Sequence, residues 1–269
     1  MTISFFHIDA FADHLFAGNP AAVCILDVEQ EEQWMQQVAQ EMNLPATAFL
    51  LKQGPNWSLR WFSPTVELAL CGHGTLASTH ALREYAGLTG SETVNFTTRA
   101  GLLTASYKGE WIELNFPAIS TEPAETSKEL IAALGTTPQR VVRGNLDLLV
   151  EVQSEDVVRH LHYLPSDLDA LKAATPGVRG IIVTSRADEG QAYDFVSRFF
   201  APATGIAEDP VTGSAHCSLG PYWGARLGKQ ELIGYQASKR GGTVRVRLDN
   251  DRVHLSGQAI MLMRGELQA

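Results

Sequence analysis

Apolar positions along this chain fall into two kinds of pattern. Short apolar or alternating runs bounded by Gly, Pro, Asn and Asp predict strands at residues 3–11, 21–26, 47–51 and 57–62. Between the second and third the period changes. Trp34, Val38 and Met42 recur every fourth residue behind Glu29, Glu31 and Glu32, which predicts a helix over 29–42 with one buried face and an acidic first turn. Asn43-Leu44-Pro45 ends it. After Ser63-Pro64-Thr65 and the turn Cys71-Gly72-His73-Gly74-Thr75, small residues over 76–85 predict a helix enclosed on most sides and closed by Gly87. Strands follow at 94–96, 101–107 and 111–116, the last two joined by a tight turn at Lys108-Gly109-Glu110.

Residues 117–125 are polar and carry Pro117 and Pro123, which marks a boundary. Beyond it the pattern predicts a helix over 127–134 capped by Ser127, a strand at 146–152 and a short helical segment at 155–160. A helix over 165–174 capped by Ser166 follows, then strands at 180–184 and 192–199. Phe200-Ala201-Pro202 then leads through an acidic turn into a helix over 214–227 that contains Pro221. The end is antiparallel, with strands at 235–238, 242–248, 253–256 and 258–263 and a turn at Asp249-Asn250-Asp251.

The two halves share one order: strands, a Phe-x-Pro, a turn, a small-residue helix, more strands. Nine residues separate Phe62 from Cys71, and nine separate Phe200 from Asp209. Aligning the phenylalanines places Pro64 on Pro202, Leu68 on Ile206, Ala69 on Ala207, Cys71 on Asp209 and Ala77 on Ala215. An internal duplication is expected. Its N-terminal half covers 1–117, with the C-terminal strand 258–269 able to complete it, and its C-terminal half covers 118–257. Duplicated halves commonly enclose a ligand cleft where they meet, so both turns are expected to face one active cleft.

Composition narrows the function classes. A chain of 269 residues exceeds the usual single core, and 45% apolar with 19% charged residues is ordinary for a soluble globular protein. The net charge of −9 argues against a phosphate-backbone partner. The nearest basic cluster, from Lys239-Arg240 to Arg247, alternates like a solvated strand face, although Lys239 or Arg240 can reach an anionic substrate. No run approaches the ~18 apolar residues of a membrane span, and the first residues lack the pattern of a secretory leader. Cys24, Cys71 and Cys217 are too few and too scattered for a disulfide framework. A soluble cytoplasmic protein without nucleic-acid or membrane partners is expected. The eight histidines, including His73, His80, His160 and His162, lack the company of a metal site. No phosphate loop or dinucleotide fingerprint is present.

Two stretches carry candidate chemistry. In Glu208-Asp209-Pro210-Val211-Thr212-Gly213-Ser214, an acid precedes a helix start whose backbone N–H groups converge and suit an anion. Asp209 there either accepts a proton, orients a partner, or simply caps the helix. His73, between two glycines, either bonds a substrate carboxylate and shuttles a proton or bonds backbone in a turn. Ser214 and the amides after Gly72 and Gly213 can cradle a carboxylate at paired helix starts. Glu41 and Glu67 are the other carboxylates nearby in sequence, and Glu41 reads as a surface or structural acid.

Asp9-Ala10-Phe11 with Gly18-Asn19-Pro20-Ala21-Ala22-Val23, then Glu41-Met42-Asn43-Leu44 and Cys71-Gly72-His73, resemble the signature of the PhzF-like family of phenazine biosynthesis. The run from Glu208 to His216 and Gln236-Ala237-Ser238-Lys239-Arg240-Gly241-Gly242 extend the resemblance to about Gly257. It implies a fold similar to that of diaminopimelate epimerase. That fold is α+β, with two pseudo-symmetric halves, each a curved, mostly antiparallel sheet or barrel around a central helix. It also implies a biosynthetic isomerase or epimerase with no metal or organic cofactor, acting on a small carboxylate-bearing substrate, and it is compatible with a homodimer. The family's founding activity moves a proton between carbons of a dihydro-hydroxyanthranilate ring, by way of a glutamate. The family motif there reads Asn-Leu-Ser-Glu-Thr-Ala-Phe, whereas this chain has Asn43-Leu44-Pro45-Ala46-Thr47-Ala48-Phe49. Ala46 occupies the glutamate position and cannot carry a proton.

Carried over residue by residue, the resemblance expects catalytic positions at Ala46, His73 and Asp209. It expects substrate contacts at Asn19, Gly72, Gly74, Thr212, Gly213 and Ser214. Cys71 stands where the diaminopimelate epimerase and proline racemase families place a thiol, but those enzymes oppose two thiols, and a small buried cysteine is the favoured reading. The alternative function is a catalytically silent relative that binds a small acid or a protein partner through the same cleft.

Overall fold

The computed structural model describes residues 2–88, 92–161 and 165–268, the side chains of residues 165 and 166 excepted. The expected Ser166 cap and His162 lie outside the described residues. The chain forms two compact units, Met1–Phe116 with His254–Ala269, and Pro117–Val253.

In the first unit β1 (Thr2–Ala10), β2 (Asn19–Leu26), α1 (Glu32–Met42), β3 (Ala46–Gln53), β4 (Asn56–Phe62) and β5 (Glu67–Leu68) lead into α2 (Gly72–Ala86). Strands β6 (Thr93–Thr98), β7 (Gly101–Lys108) and β8 (Trp111–Pro117) follow. The second unit runs β9 (Glu122–Pro123), α3 (Lys128–Leu134), β10 (Arg140–Arg143), β11 (Asp147–Glu151), α4 (Glu155–His160), α5 (Pro165–Ala174), β12 (Gly180–Arg186), β13 (Phe195–Ala201) and β14 (Ile206–Asp209). It continues with α6 (Gly213–Leu227), β15 (Glu231–Gln236) and β16 (Gly242–Asp249). After β17 (Arg252–Gly257), β18 (Ala259–Gln268) returns to pair with β1.

The pairing pattern is the same in both units. In the first, β2 pairs β3 in parallel, β3 pairs β4 antiparallel, and β4 pairs β5 antiparallel and β6 in parallel. In the second, β11 pairs β12 in parallel, β12 pairs β13 antiparallel, and β13 pairs β14 antiparallel and β15 in parallel. The α+β, pseudo-symmetric expectation therefore holds, with most pairs antiparallel. A buried helix sits against the sheet in each unit. Ten of the fifteen residues of α2 are buried, as are ten of fifteen in α6, which is why neither helix shows a polar stripe.

Strand register corrects the expected alignment of the halves. Thr47 opposite Phe62 corresponds to Ile181 opposite Phe200, and Trp61 opposite Leu68 corresponds to Phe199 opposite Asp209. Asp209 thus stands on Leu68, and not on Cys71. The second unit carries three extra residues in a 3₁₀ turn, Pro202–Thr204, which the nine-residue spacing did not reveal. Counting from the helix starts, Gly72 corresponds to Gly213, Cys71 to Thr212 and His73 to Ser214. By the same register Ala46, opposite Ala21, corresponds to Gly180, opposite Asp147.

One ion pair repeats with the strands. Arg60 donates from Nε and Nη2 to both oxygens of Glu67 at 2.7 and 2.8 Å, with its guanidinium 5.2 Å from the Phe62 ring. Arg198 donates likewise to Glu208 at 2.7 and 2.9 Å, 4.9 Å from the Phe200 ring. Each pair fastens the last long strand to the short return strand just before the buried helix.

Three further differences from the sequence pattern have local causes. Helix α1 starts at Glu32, so only one acid lies in its first turn, and it buries Met35 and Ala39 with Trp34 and Val38 at the margin. The face is one residue away from the expected stripe because Phe49 and Phe62 of the sheet fill that side. Helix α2 begins four residues earlier than its apolar run, since Cys71 and not a turn precedes it. The short strands β5, β10 and β14 have too few apolar residues to show a period. Pro221 is accommodated inside α6 because the Cys217 carbonyl it leaves unpaired accepts from the Ile119 backbone N–H at 3.0 Å. Ser127 caps α3 as expected, accepting from the Leu130 N–H.

Gly180 is held by close approach. A Cβ there would lie 2.5 Å from Phe199 Cζ and 2.8 Å from the Phe200 carbonyl oxygen. Gly180→Ala is expected to lower stability by about 1–3 kcal/mol in urea unfolding, the usual cost of overpacking against backbone.

Candidate functional site

The first unit offers the start of α2. Cys71 is the N-cap residue, extended at φ −142°, and its sulfur accepts from the Gly74 N–H at 3.4 Å. The thiol therefore does the work usually given to a serine or aspartate oxygen. His73 is buried, with Nδ1 3.5 Å from Cys71 Sγ, and the Thr75 hydroxyl donates to the Cys71 carbonyl at 2.6 Å. Trp61, from the end of β4, lies along this turn. A Cβ on Gly74 would come within 2.7 Å of its Cδ1, so the glycine is what lets the indole edge reach the helix. Asn19 opens β2 and is fully buried, paired across the strands with Ala10. Ala46 is the first residue of β3 and has no exposed surface.

The second unit offers the start of α6. Asp209, 7% exposed, ends β14, and its Oδ2 accepts from the Thr212 hydroxyl at 2.6 Å. Gln236 clamps the same turn. Its amide donates to the Asp209 carbonyl at 2.7 Å, and its Oε1 accepts from the Thr212 N–H at 2.8 Å. Asp209 is thereby held by its side chain and by its backbone, and Thr212 spends its polar groups inside the turn. Ser214 Oγ accepts from Arg179 Nη2 at 3.0 Å, and Arg179 makes a two-pronged pair with buried Asp147. Since the Arg179 guanidinium only donates, it turns the Ser214 hydroxyl proton away from itself.

Sequence reading assigned no role to Gln236, Arg179, Asp147 or Trp61. Gln236 lies in a stretch that carries the family resemblance, which was the available signal. Arg179 and Asp147 come from strand ends 32 and more residues apart, with no motif around them. Glu67 is tied to Arg60, and Glu41 is exposed, so neither joins these turns.

Three other groups are settled by burial. The Cys24 and Cys217 thiols are each pushed up to about 12 by desolvation and stay protonated. His216, one turn into α6, is held down to about 4 by burial and is neutral at pH 7. Its Nδ1–H donates to the Thr212 carbonyl at 2.9 Å, so it braces the turn and carries no charge. No disulfide joins Cys24, Cys71 or Cys217. Among the described residues no group of three His, Cys, Asp or Glu side chains could hold a metal ion, and no helix is long and apolar enough to cross a membrane.

The start of α2 carries buried Cys71 and His73, and the corresponding helix start of the second unit carries Ser214 behind buried Asp209. The family model described as phenazine biosynthesis-like protein, PhzC–PhzF, matches residues 8–265. The chain belongs to the PhzC–PhzF family. An uncharacterised isomerase of Halalkalibacterium halodurans is 48% identical, with 99% of each chain covered. The crystal structure of a PhzF-family phenazine biosynthesis protein from Enterococcus faecalis superposes with a TM-score of 0.93 at 41% identity, covering both chains completely. A hydroxyproline epimerase from Agrobacterium vitis, 12% identical, shares the fold with a TM-score of 0.63 over 99% of this chain and 92% of that one. Membership thus makes this an isomerase-family chain with an epimerase-like fold.

The depressed His216 predicts an acid-side stability loss. With its folded value below the unfolded one, only the unfolded chain takes up this proton between about pH 6.5 and pH 4, so stability falls as pH falls through that window. His216→Asn is expected to remove up to about 1.4 kcal/mol per pH unit from the slope there, read by urea unfolding at several pH values.

Proposed function

We propose that this chain is a PhzF-like isomerase or epimerase that moves a proton on a small carboxylate-bearing substrate without a cofactor. The observation that carries the reading is the matched pair of buried helix starts, Gly72-His73 and Gly213-Ser214, each with a titratable side chain fixed beside it. His73 is the first proton-transfer group, and the Cys71 sulfur beside it limits its orientation. Asp209 is the second proton-transfer group. Its Thr212 and Gln236 contacts fix the carboxylate direction, which is what proton transfer in a set geometry requires. Asn19, the Gly72, Gly74 and Gly213 backbone and Ser214 are the proposed substrate contacts, with the substrate carboxylate received at the helix starts.

Ala46 favours a second reading. At the family's glutamate position this chain has a methyl group, fully buried on β3, so no carboxylate is supplied from that strand end. On that reading the turns still bind a small acid or a partner, but the chemistry is lost.

Solvent exchange separates the two. A panel of small ring and chain carboxylic acids, including dihydro-hydroxyanthranilate, is incubated with the protein in D2O and followed by NMR at the carbon next to the carboxylate. The isomerase reading expects catalysed deuterium uptake into at least one acid, cut about 10²–10⁴-fold by Asp209→Asn and by His73→Asn. No uptake by the unmodified chain, with uptake appearing in Ala46→Glu, establishes the binding-only reading instead.

A further inference from the structure

We infer that the Trp61 indole N–H is a substrate-recognition donor at the start of α2, aimed at an oxygen of the carboxylate-class ligand. This rests on the substrate class proposed above and adds the residue that selects for it. Trp61 is 1% exposed, and among the described residues its Nε1 has no hydrogen-bond partner. A buried N–H left unpaired costs about 1–3 kcal/mol, so its retention calls for an acceptor that arrives from outside the chain.

The position of the indole edge is set by its neighbours. A Cβ built on Gly74 would stand 2.7 Å from Trp61 Cδ1 and 3.2 Å from Nε1, so the polar edge of the indole lies on the first turn of α2. Backbone N–H groups converge there and favour a negative ligand. The indole N–H and the first turn of α2 therefore lie beside each other. An anionic oxygen satisfies both, whereas a cation or an apolar group satisfies neither.

Among the described residues none accepts from the Trp61 N–H, and the Cys71 sulfur, 3.0 Å from the same Gly74 Cβ position, accepts from the Gly74 N–H. Trp61 pairs directly with Ala48 across β3 and β4, and Ala46, two residues along β3, shares its face of the sheet. The second unit shows how close these positions are. Gly180, the counterpart of Ala46, lies so near Phe199, the counterpart of Trp61, that a Cβ would meet the ring at 2.5 Å. Alanine at 46 accepts no hydrogen bond, and so leaves the indole N–H to the ligand. In the second unit the ring is phenylalanine and has no N–H. The added donor there is Arg179, whose guanidinium lies 5.3 Å from the Phe199 ring and donates to Ser214. Each helix start thus has one side-chain donor beside its backbone, neutral in the first unit and charged in the second.

The test uses indole-15N-tryptophan protein, whose five tryptophans give five resolvable N–H signals. The Trp61 signal is assigned by its loss in Trp61→Phe and, independently of that variant, by its contact with the Gly74 amide. 2-Aminobenzoate is titrated in, with the neutral 2-aminobenzamide as control. The expected result is a saturable downfield movement of the Trp61 proton with the acid and not with the amide. Trp61→Phe should weaken acid binding about tenfold by calorimetry, as loss of one hydrogen bond to a charged group predicts. A Trp61 signal that stays in place to the highest acid concentration overturns the inference, as does equal affinity of Trp61→Phe for an acid that binds. The isomerase reading is judged separately by the deuterium-uptake experiment, which does not involve this residue.

Discussion

Both units depend on a guanidinium clamped between a carboxylate and an aromatic ring one strand before the buried helix. Arg60 with Glu67 and Phe62, and Arg198 with Glu208 and Phe200, fix where the short return strand lies and hence where the helix begins. Exposed ion pairs contribute little, but these are two-pronged, packed on a ring and partly shielded, so geometry is what they add. Arg198 also donates to the Val158 and Leu161 carbonyls at the end of α4, which ties the clamp to the second unit's helical layer. The helix-start residues of each unit lie within a few residues of these pairs: Cys71 and His73 follow Glu67, and Asp209 and Ser214 follow Glu208.

The duplicated frame carries unlike chemistry at matching places. Cys71 and Thr212 occupy the same cap position, yet the thiol bonds its own helix and the hydroxyl bonds back to Asp209. His73 and Ser214 occupy the same helical position, and the serine accepts from the Arg179 guanidinium. Leu68 stands where the second unit places its acid. Such divergence on a common backbone lets one helix start hold an imidazole and the other a carboxylate, which a symmetric pair cannot do.

Ala46 makes the departure from the family concrete. The position that the family resemblance assigns to its proton-carrying glutamate holds, on the proposed alignment, a side chain without polar atoms, fully buried at the first residue of β3. Around it the frame is intact: β3 keeps its register, α2 keeps its cap, and Asp209 keeps both its clamps.

The amino-acid sequence by itself determined the class of each long element, since apolar spacing over seven or more residues reflects which face meets the core. It also determined the duplication, the Ser127 cap, and the family through its Cys-Gly-His and Asp-Pro-Val-Thr-Gly-Ser runs. It placed Ala46, His73 and Asp209 as positions of interest because their neighbours in sequence carry the motif. Only the tertiary structure decided that Asp209 corresponds to Leu68, because a three-residue 3₁₀ insertion changes the register without changing the composition around it. Only it brought Arg179 to Ser214, Gln236 to Asp209 and Trp61 to Gly74. Those contacts join strand ends to helix starts across long stretches of chain, and hydrogen-bond partnership at such separations leaves no local pattern to read.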